Sequence, residues 1–370
     1  MNDFRRVRIA LTRSGVPDRV PLWELHVDLD VKEAFLGRRI QSPADEAEFW
    51  VRAGYDYVPV GVGLLQVGGV LGGQTVKGRY SAYQEQAEMT WAPEHFGPIQ
   101  SFEDLAAFDW PDPEEMDLSP IPQMRQALPE KMGLLVVIGK VFTATWMLMG
   151  FEGFCRATVE RPELVAAIFG RVTAIQMRCC ERAAQMPGVD GLWMSDDIAY
   201  ATGLLVRPEL LRRHVFPCYE RIGRLVRERG LLYVYHSDGD LRLVLEDIIR
   251  CGFHGLHPIE PKAMDIRVLK RTVGDWLCLL GGLELDRLAR GTPAEVRRLA
   301  RGLIGDVGYD GGYCLGSSNS VARYVPLANY RVMLEAALQG RAPSATASRP
   351  SGPIQARGQC WGAAGPARTS

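Results

Sequence analysis

The sequence predicts an α/β protein built as a single (β/α)8 barrel, and three observations lead to this fold class. Eight short apolar runs recur along the chain. Each run is almost continuously apolar, which is typical of strands buried on both faces of a parallel sheet. Stretches with helical periodicity separate the runs, and strands that alternate with helices pair in parallel. The predicted strands are residues 20–25, 55–61, 134–139, 191–195, 231–236, 255–260, 277–282 and 311–316.

Composition narrows the class of protein further. The chain has 370 residues, 47% of them hydrophobic, and a net charge of −1 from 43 basic and 44 acidic side chains. This balance argues against nucleic acid or an anionic membrane as the main partner. No window approaches the roughly 18 apolar residues of a membrane span, and no signal-peptide core is visible. The eight cysteines form no C-x-x-C pair. We expect reduced thiols in a cytoplasmic protein.

The chain divides into one barrel and a tail. We predict a single barrel domain over residues 1–340, with a long insertion at 62–130 after the second strand. A loop of that length is usually a lid or a binding element. Residues 341–370 are rich in Pro, Gly, Ala, Ser and Arg. We expect this tail to be disordered because it offers little apolar surface to bury.

Two predicted helices contain residues that mark a helix break or a helix start. The stretch 207–230 has helical apolar spacing, and Pro217 inside it should kink the helix. The stretch 292–308 begins with Thr292 and has Glu295 three residues later. This spacing predicts a capping box, in which each side chain bonds the other residue's backbone N–H.

Polar and ionisable residues follow several predicted strands. Because the carboxyl ends of barrel strands form one rim, where barrel active sites lie, we expect these residues to line a pocket. The candidates are Glu24, His26, Lys140, Asp196, Asp197, His236, Asp238, His257, Glu260, Glu284, Ser317, Ser318 and Asn319.

His236 and Asp238 are the leading catalytic candidates. They are two residues apart on an extended chain, so their side chains share a face. They could bind a metal, or His236 could act as acid or base with Asp238 orienting it. The alternative is that His236 bonds a backbone carbonyl and Asp238 shapes the turn. Glu260 is a third catalytic candidate, whereas His257 could equally pack lower in the barrel.

The remaining rim residues are candidates for substrate binding, each with a structural alternative. Of the neighbours Asp196 and Asp197, at most one faces the pocket, and we take Asp196. Glu24 and His26 could instead form a salt bridge at the barrel mouth. Trp146 and Trp193 could form an apolar wall or belong to the core.

Three stretches resemble the uroporphyrinogen decarboxylase superfamily, a (β/α)8 family that also contains corrinoid-dependent methyltransferases. They are residues 190–241, which end in LLYVYHSDGDL, residues 252–298, which begin with GFHGLHPIEPK, and residues 311–338, which begin with GGYCLGSSNS. True decarboxylases carry an N-terminal RQAGR stretch that binds substrate carboxylates, whereas this chain has the acidic PLWELHVDLD (21–30). Acidic groups would repel a polycarboxylate. Those enzymes also carry a late GHG-type segment, and here GSSNS (316–320) replaces it.

The methyltransferase branch typically has H-x-C-G and a late cysteine that bind zinc. Here HSDG places Asp238 where the first cysteine would be, and the late position falls within Ser317–Asn319. Cys314 lies about three residues too early. Oxygen in place of thiolate removes the zinc-selective part of such a site. The resemblance therefore implies a histidine–carboxylate site that polarises or protonates an oxygen.

We therefore expect a methyltransferase that moves a methyl group from a small methoxylated, aromatic compound to a corrinoid, either free cobalamin or carried by a partner protein. Ser317, Ser318 and Asn319 would bind the substrate. A divalent metal such as zinc, held by His236 and Asp238, and a homodimer are left open. The alternatives are a decarboxylase acting on a small carboxylate, for which Lys140 and Arg207 are the available cations, and a barrel that only binds a ligand.

Overall fold

Seven parallel strands form one curled sheet, and their order in the sheet is their order in the chain. In the computed structural model the described residues are 1–63, 74–78, 87–91 and 95–339. The strands are β1 (Tyr57–Gly61), β2 (Gly133–Ile138), β3 (Gly191–Ser195), β4 (Leu232–His236), β5 (Gly255–Ile259), β6 (Cys278–Leu283) and β7 (Tyr313–Ser317). Every residue of β4 to β7 is buried, as their unbroken apolar runs predict. The predicted barrel class is confirmed.

The first predicted strand along the chain, residues 20–25, is wrong as a regular strand. It makes one isolated parallel bridge, between Leu22 and Leu315 of β7. On the other side, the hydroxyl of Tyr57 bonds both the N–H and the C=O of Glu24, at 2.9 and 2.7 Å. A side chain thus takes the backbone groups that a neighbouring strand would pair with. The segment closes the gap between β7 and β1 without extending the sheet.

Helices separate the strands and cover the outside of the sheet. Their bounds are α1 Arg5–Thr12, α2 Leu29–Leu36, α3 Pro43–Ala53, α4 Phe102–Ala107, α5 Pro120–Ala127, α6 Phe142–Met149, α7 Phe151–Glu160, α8 Pro162–Gln185, α9 Pro208–His214, α10 Phe216–Glu228, α11 Leu245–Arg250, α12 Ile266–Val273, α13 Leu285–Arg290, α14 Pro293–Val307 and α15 Leu327–Gln339. Among the described helices, none combines the length and apolarity needed to cross a bilayer.

Of the two helix predictions, the capping box is confirmed and the kink at Pro217 is not. The capping box of α14 is present, with Thr292 accepting from the N–H of Glu295 and Glu295 accepting from the N–H of Thr292. The predicted kink at Pro217 is instead a break between α9 and α10 at Val215. Pro217 occupies the first turn of α10, where its missing N–H interrupts no helical hydrogen bond.

Aromatic rings fill the barrel interior below the rim. The ring of Trp23 lies 4.5 Å from that of Tyr57 and 4.7 Å from that of Trp193. Trp23 lies between β7 and β1, Tyr57 lies on β1 and Trp193 lies on β3, so the contact of the two tryptophans runs across the interior of the curled sheet. Trp193 is completely buried and also meets the ring of His257 edge-on at 5.2 Å. It therefore forms part of the packed floor beneath the site.

Much of the predicted insertion 62–130 is folded against the barrel. Its described part includes the backbone of an antiparallel hairpin, Gln74–Gly78 with Ala87–Trp91. Further along, Ile99 and Ile121 are fully buried. The insertion's Gly-rich start and the tail 341–370 lie outside the described residues. The predicted lid and the disordered tail stay predictions. The seven cysteines in the described part are free thiols.

Candidate active site

The candidate site is built at the carboxyl ends of β3, β4 and β5. Parallel register places His236, the last residue of β4, beside Ser195 of β3 and His257 of β5. The ladder continues beyond the strands, because the N–H of Asp196 donates to the His236 carbonyl at 3.0 Å. Backbone hydrogen bonds therefore fix the position of His236, and its side chain is only 7% exposed.

His236 and His257 form a buried imidazole pair. Their Nδ1 atoms lie 2.8 Å apart, so one donates a hydrogen bond and the other accepts it. Burial lowers the pKa of His236, and the nearby positive charge of Lys140 lowers it further while Asp197 opposes the shift. Burial also lowers the pKa of His257 well below its ordinary value. Both rings are therefore neutral near pH 7.

Two carboxylates face the other nitrogen of His236. Its Nε2 lies 3.5 Å from an oxygen of Asp197 and 3.7 Å from an oxygen of Asp238. The N–H of Asp238 donates to Asp197 at 2.9 Å, which fixes the two acids relative to each other. The Asp197 side chain is 49% exposed, so the cluster opens to solvent on its side. We call Asp197, His236 and Asp238 the acid–imidazole cluster.

Asp238 lies in an environment that favours its neutral form. Burial, together with the negative charges of Asp197 and Glu260, raises the pKa of Asp238 to about 8. The amide of Asn319 donates to one carboxyl oxygen at 2.8 Å. The other oxygen, Oδ1, is buried without a hydrogen-bond partner among the described residues. A buried polar atom of this kind suggests a place for a ligand atom.

Glu260 supports the loop that carries Asp238. It accepts the N–H of Gly239 at 2.6 Å, and burial raises its pKa. Gly239 has φ of +91°, and an added Cβ would lie 2.5 Å from the carbonyl oxygen of Tyr200. Only glycine fits this turn without strain. Glu260 therefore lies beside the cluster and holds its backbone in place.

The structure separates the adjacent acids in an unexpected way. Asp196, the predicted substrate ligand, turns away from the cluster and accepts three N–H groups at the start of α6, those of Val141, which precedes the helix, Phe142 and Thr143. It also accepts the hydroxyl of Tyr219. Its oxygens are thus fully used within the protein. Asp197, the member that we did not choose from the sequence, joins His236.

The other predicted substrate ligands are dispersed. Glu24 is fully buried and accepts both the N–H and the hydroxyl of Ser317, at 2.6 and 2.7 Å. Ser318 accepts the N–H of Leu285 at the start of α13. His26 is exposed and contacts Asp28. Of this set, Asn319 is the residue that contacts the acid–imidazole cluster.

The two predicted tryptophans lie in different settings. Trp193 belongs to the packed floor beneath His257. Trp146, on α6, is half-buried and contacts the ring of Phe151 at 5.5 Å. The indole N–H of each is buried without a partner in the described part of the chain. The structure therefore places Trp193, but not Trp146, in direct contact with a histidine of the site.

Comparison with known proteins establishes the family. The model of the uroporphyrinogen decarboxylase (URO-D) family matches residues 86–339, which is most of the chain. The chain belongs to the uroporphyrinogen decarboxylase family. Among solved structures, a methyltransferase from Methanosarcina mazei matches with a TM-score of 0.67 and 17% identity, covering 92% of this chain and 99% of that chain. At this identity the match establishes a shared fold. No curated protein sequence matches the chain.

Within the uroporphyrinogen decarboxylase family, the methyltransferase pattern would place thiolates in this site. Asp238 stands at the first of these positions, and Cys314 does not replace the second. Cys314 lies within β7 and is fully buried, and burial raises its pKa well above its ordinary value. It also lies three residues before Ser317, on the opposite face of the strand.

The acid–imidazole cluster fits a divalent cation that prefers oxygen and nitrogen ligands to sulfur. One ligand atom from each of Asp197, His236 and Asp238 lies within 4.8 Å of the others. Two carboxylates and one imidazole suit harder or borderline ions better than a thiolate-rich zinc site does. The unpaired Oδ1 of Asp238 is consistent with such a ligand role.

Proposed function

We propose that this protein is a methyltransferase that removes the methyl group of a small methoxylated, aromatic compound and transfers it to a corrinoid. The observation that carries the proposal is the acid–imidazole cluster at the barrel mouth, with oxygen ligands where the methyltransferase pattern has sulfur. A site without thiolates is poorly suited to activating a thiol. It is better suited to stabilising an oxygen that gains negative charge.

The chemistry of ether cleavage matches these side chains. When the O–CH3 bond breaks, the methyl carbon leaves without its bonding electrons, and the pair stays on the ether oxygen. The corrinoid, either free cobalamin or carried by a partner protein, would supply the cobalt nucleophile that accepts the methyl group. Asp238 is neutral near pH 7, so its carboxyl can give a proton to the departing oxygen.

His236 and Asn319 position this acid. The amide of Asn319 holds one oxygen of Asp238 and leaves Oδ1 for the substrate. The buried imidazole of His236 can donate a second hydrogen bond to the departing ether oxygen. If a divalent metal binds, Asp197, His236 and Asp238 would hold it, and it would polarise the ether oxygen. Both routes stabilise the same leaving group.

The test is methyl transfer with purified protein, reduced cobalamin and a series of methoxyarenes. We expect a phenol and methylcobalamin to form in equal amounts. Asp238→Asn and His236→Asn should each lower the rate by about a hundredfold or more, the usual contribution of acid–base catalysis. Asp240→Asn is the matched control, since Asp240 lies in the same loop but pairs with exposed Arg242. Absence of methylcobalamin with every methoxyarene would contradict the proposal.

A decarboxylase is the second candidate, and Lys140 is the observation that favours it. Its positive charge acts on His236, so a cation lies near the cluster. A small carboxylate substrate would need such a cation. Release of carbon dioxide from small carboxylic acids, lost together with carboxylate binding in Lys140→Ala, would favour this reaction over methyl transfer.

A further inference from the structure

We infer that His257 sets the tautomer of His236, so that Nε2 of His236 carries the ring proton in the metal-free protein. His257 would then be a positioning residue that makes His236 a hydrogen-bond donor at the barrel mouth. As an account of catalysis this inference rests on the proposed function. The tautomer itself does not, because it follows from contacts in the resting protein.

The contact between the two Nδ1 atoms allows two arrangements. Two ring nitrogens 2.8 Å apart share one hydrogen bond, so one Nδ1 carries a proton and the other does not. If His257 donates, its own Nε2 is bare and the proton of His236 sits on Nε2. If His236 donates, the proton of His257 sits on Nε2 and Nε2 of His236 is bare.

The surroundings of His257 favour the first arrangement. Its Nε2 is buried and has no hydrogen-bond partner among the residues that the structure describes. The ring of Trp193 meets the His257 ring edge-on at 5.2 Å. A proton on this nitrogen would be a buried donor without an acceptor, which folded proteins avoid more strictly than an unused lone pair.

The surroundings of His236 favour the same arrangement from the other end. Its Nε2 faces a carboxylate oxygen of Asp197 at 3.5 Å. An N–H directed at this oxygen is attracted, whereas an unprotonated nitrogen would be repelled by it. Both ends of the histidine pair therefore place the protons on Nδ1 of His257 and Nε2 of His236.

This tautomer has a consequence for metal binding. A metal needs the Nε2 lone pair of His236, so the proton must move to Nδ1 and the hydrogen bond to His257 must reverse. His257 would then hold its proton on the buried Nε2. His257 thus opposes metal ligation by His236 and favours its use as a donor to a substrate oxygen.

The direct test is nitrogen NMR of the full chain with 15N-labelled histidine, recorded without metal or substrate near pH 7. His236→Asn and His257→Asn spectra assign the two rings. We expect protonated Nε2 and bare Nδ1 for His236, and the reverse for His257. The opposite pattern would overturn the inference, whatever reaction the protein catalyses.

A second test uses Zn²⁺ binding, measured by calorimetry, and it does not depend on activity. In His257→Asp, a carboxylate oxygen takes the approximate place of Nδ1 and can only accept. It should pull the His236 proton to Nδ1 and raise Zn²⁺ affinity about tenfold or more. His257→Asn, whose amide can still donate, is the matched control and should bind like the native protein. Equal affinity of all three proteins would contradict the inference.

Discussion

Adjacent residues of this chain can have unrelated roles, as Asp196 and Asp197 illustrate. The sequence correctly predicted acids at the end of the fourth apolar run, and that at most one of them would face the site. It could not decide which one. Alternation of side chains predicts that the two acids point to opposite sides, but it does not say which side holds the site. The contacts of Asp196 with the start of α6 decide this, and they are tertiary.

His257 was the main residue that the sequence left undecided. Its importance depends on being level with His236 on the neighbouring strand. The register of two parallel strands is set by how the connecting helix packs, which a single sequence does not reveal. Two histidines on consecutive predicted strands were the available signal, and only the structure shows that their rings meet.

Glu24 gives the protein a pH-dependent stability. Burial raises its pKa to about 8 from an ordinary value of 4.5. Between these values the folded protein keeps a proton that the unfolded chain has lost, so its stabilising contribution is full below pH 4.5 and falls as the pH rises to about 8. The loss is at most about 1.4 kcal/mol per pH unit.

Urea unfolding at several pH values tests this, with Glu24→Gln as the comparison because the amide does not titrate. We expect the free energy of unfolding of the native protein, relative to the variant, to decrease steadily from pH 5 to about pH 8. A difference that stays constant with pH would show that Glu24 ionises as freely in the fold as in water.

At the scale of secondary-structure elements, sequence patterns predicted most of the strands and helices but not the exact residues at which they end. The apolar runs gave seven of the strands to within a few residues, and the Thr292–Glu295 spacing gave the start of α14. Residues 20–25 had the same apolar signature but pair through only one bridge. The reason is tertiary: the Tyr57 hydroxyl takes the backbone groups that a strand partner would need.

The start of α6 depends on Asp196. This residue follows β3, whereas α6 follows β2. Asp196→Ala would leave three buried N–H groups at the start of α6, and the Tyr219 hydroxyl, without their acceptor. We expect a loss of about 3 kcal/mol or more in the free energy of unfolding. The matched variant Asp197→Ala, at a half-exposed side chain, should cost less than about 1 kcal/mol. Equal losses in urea unfolding would contradict this division of roles.

At the scale of the whole molecule, the curled sheet assembles a site from distant parts of the sequence. Asp197, His236 and Glu260 lie at the ends of three neighbouring strands, and Asn319 lies just beyond β7. The fold class alone predicted that strand ends would meet at one rim. It could not predict that Glu24, Ser317 and Ser318 would use their polar atoms within the scaffold, because those contacts depend on exact side-chain directions.

The central claim is that this site stabilises a departing oxygen, and leaving-group dependence tests it most directly. Methoxyarenes that differ in the acidity of their phenol product would be compared in the native protein and in Asp238→Asn. We predict that the native rate depends weakly on phenol acidity, and that Asp238→Asn loses most activity on the least acidic phenols, by about a hundredfold. A loss of the same size for every substrate would contradict the claim.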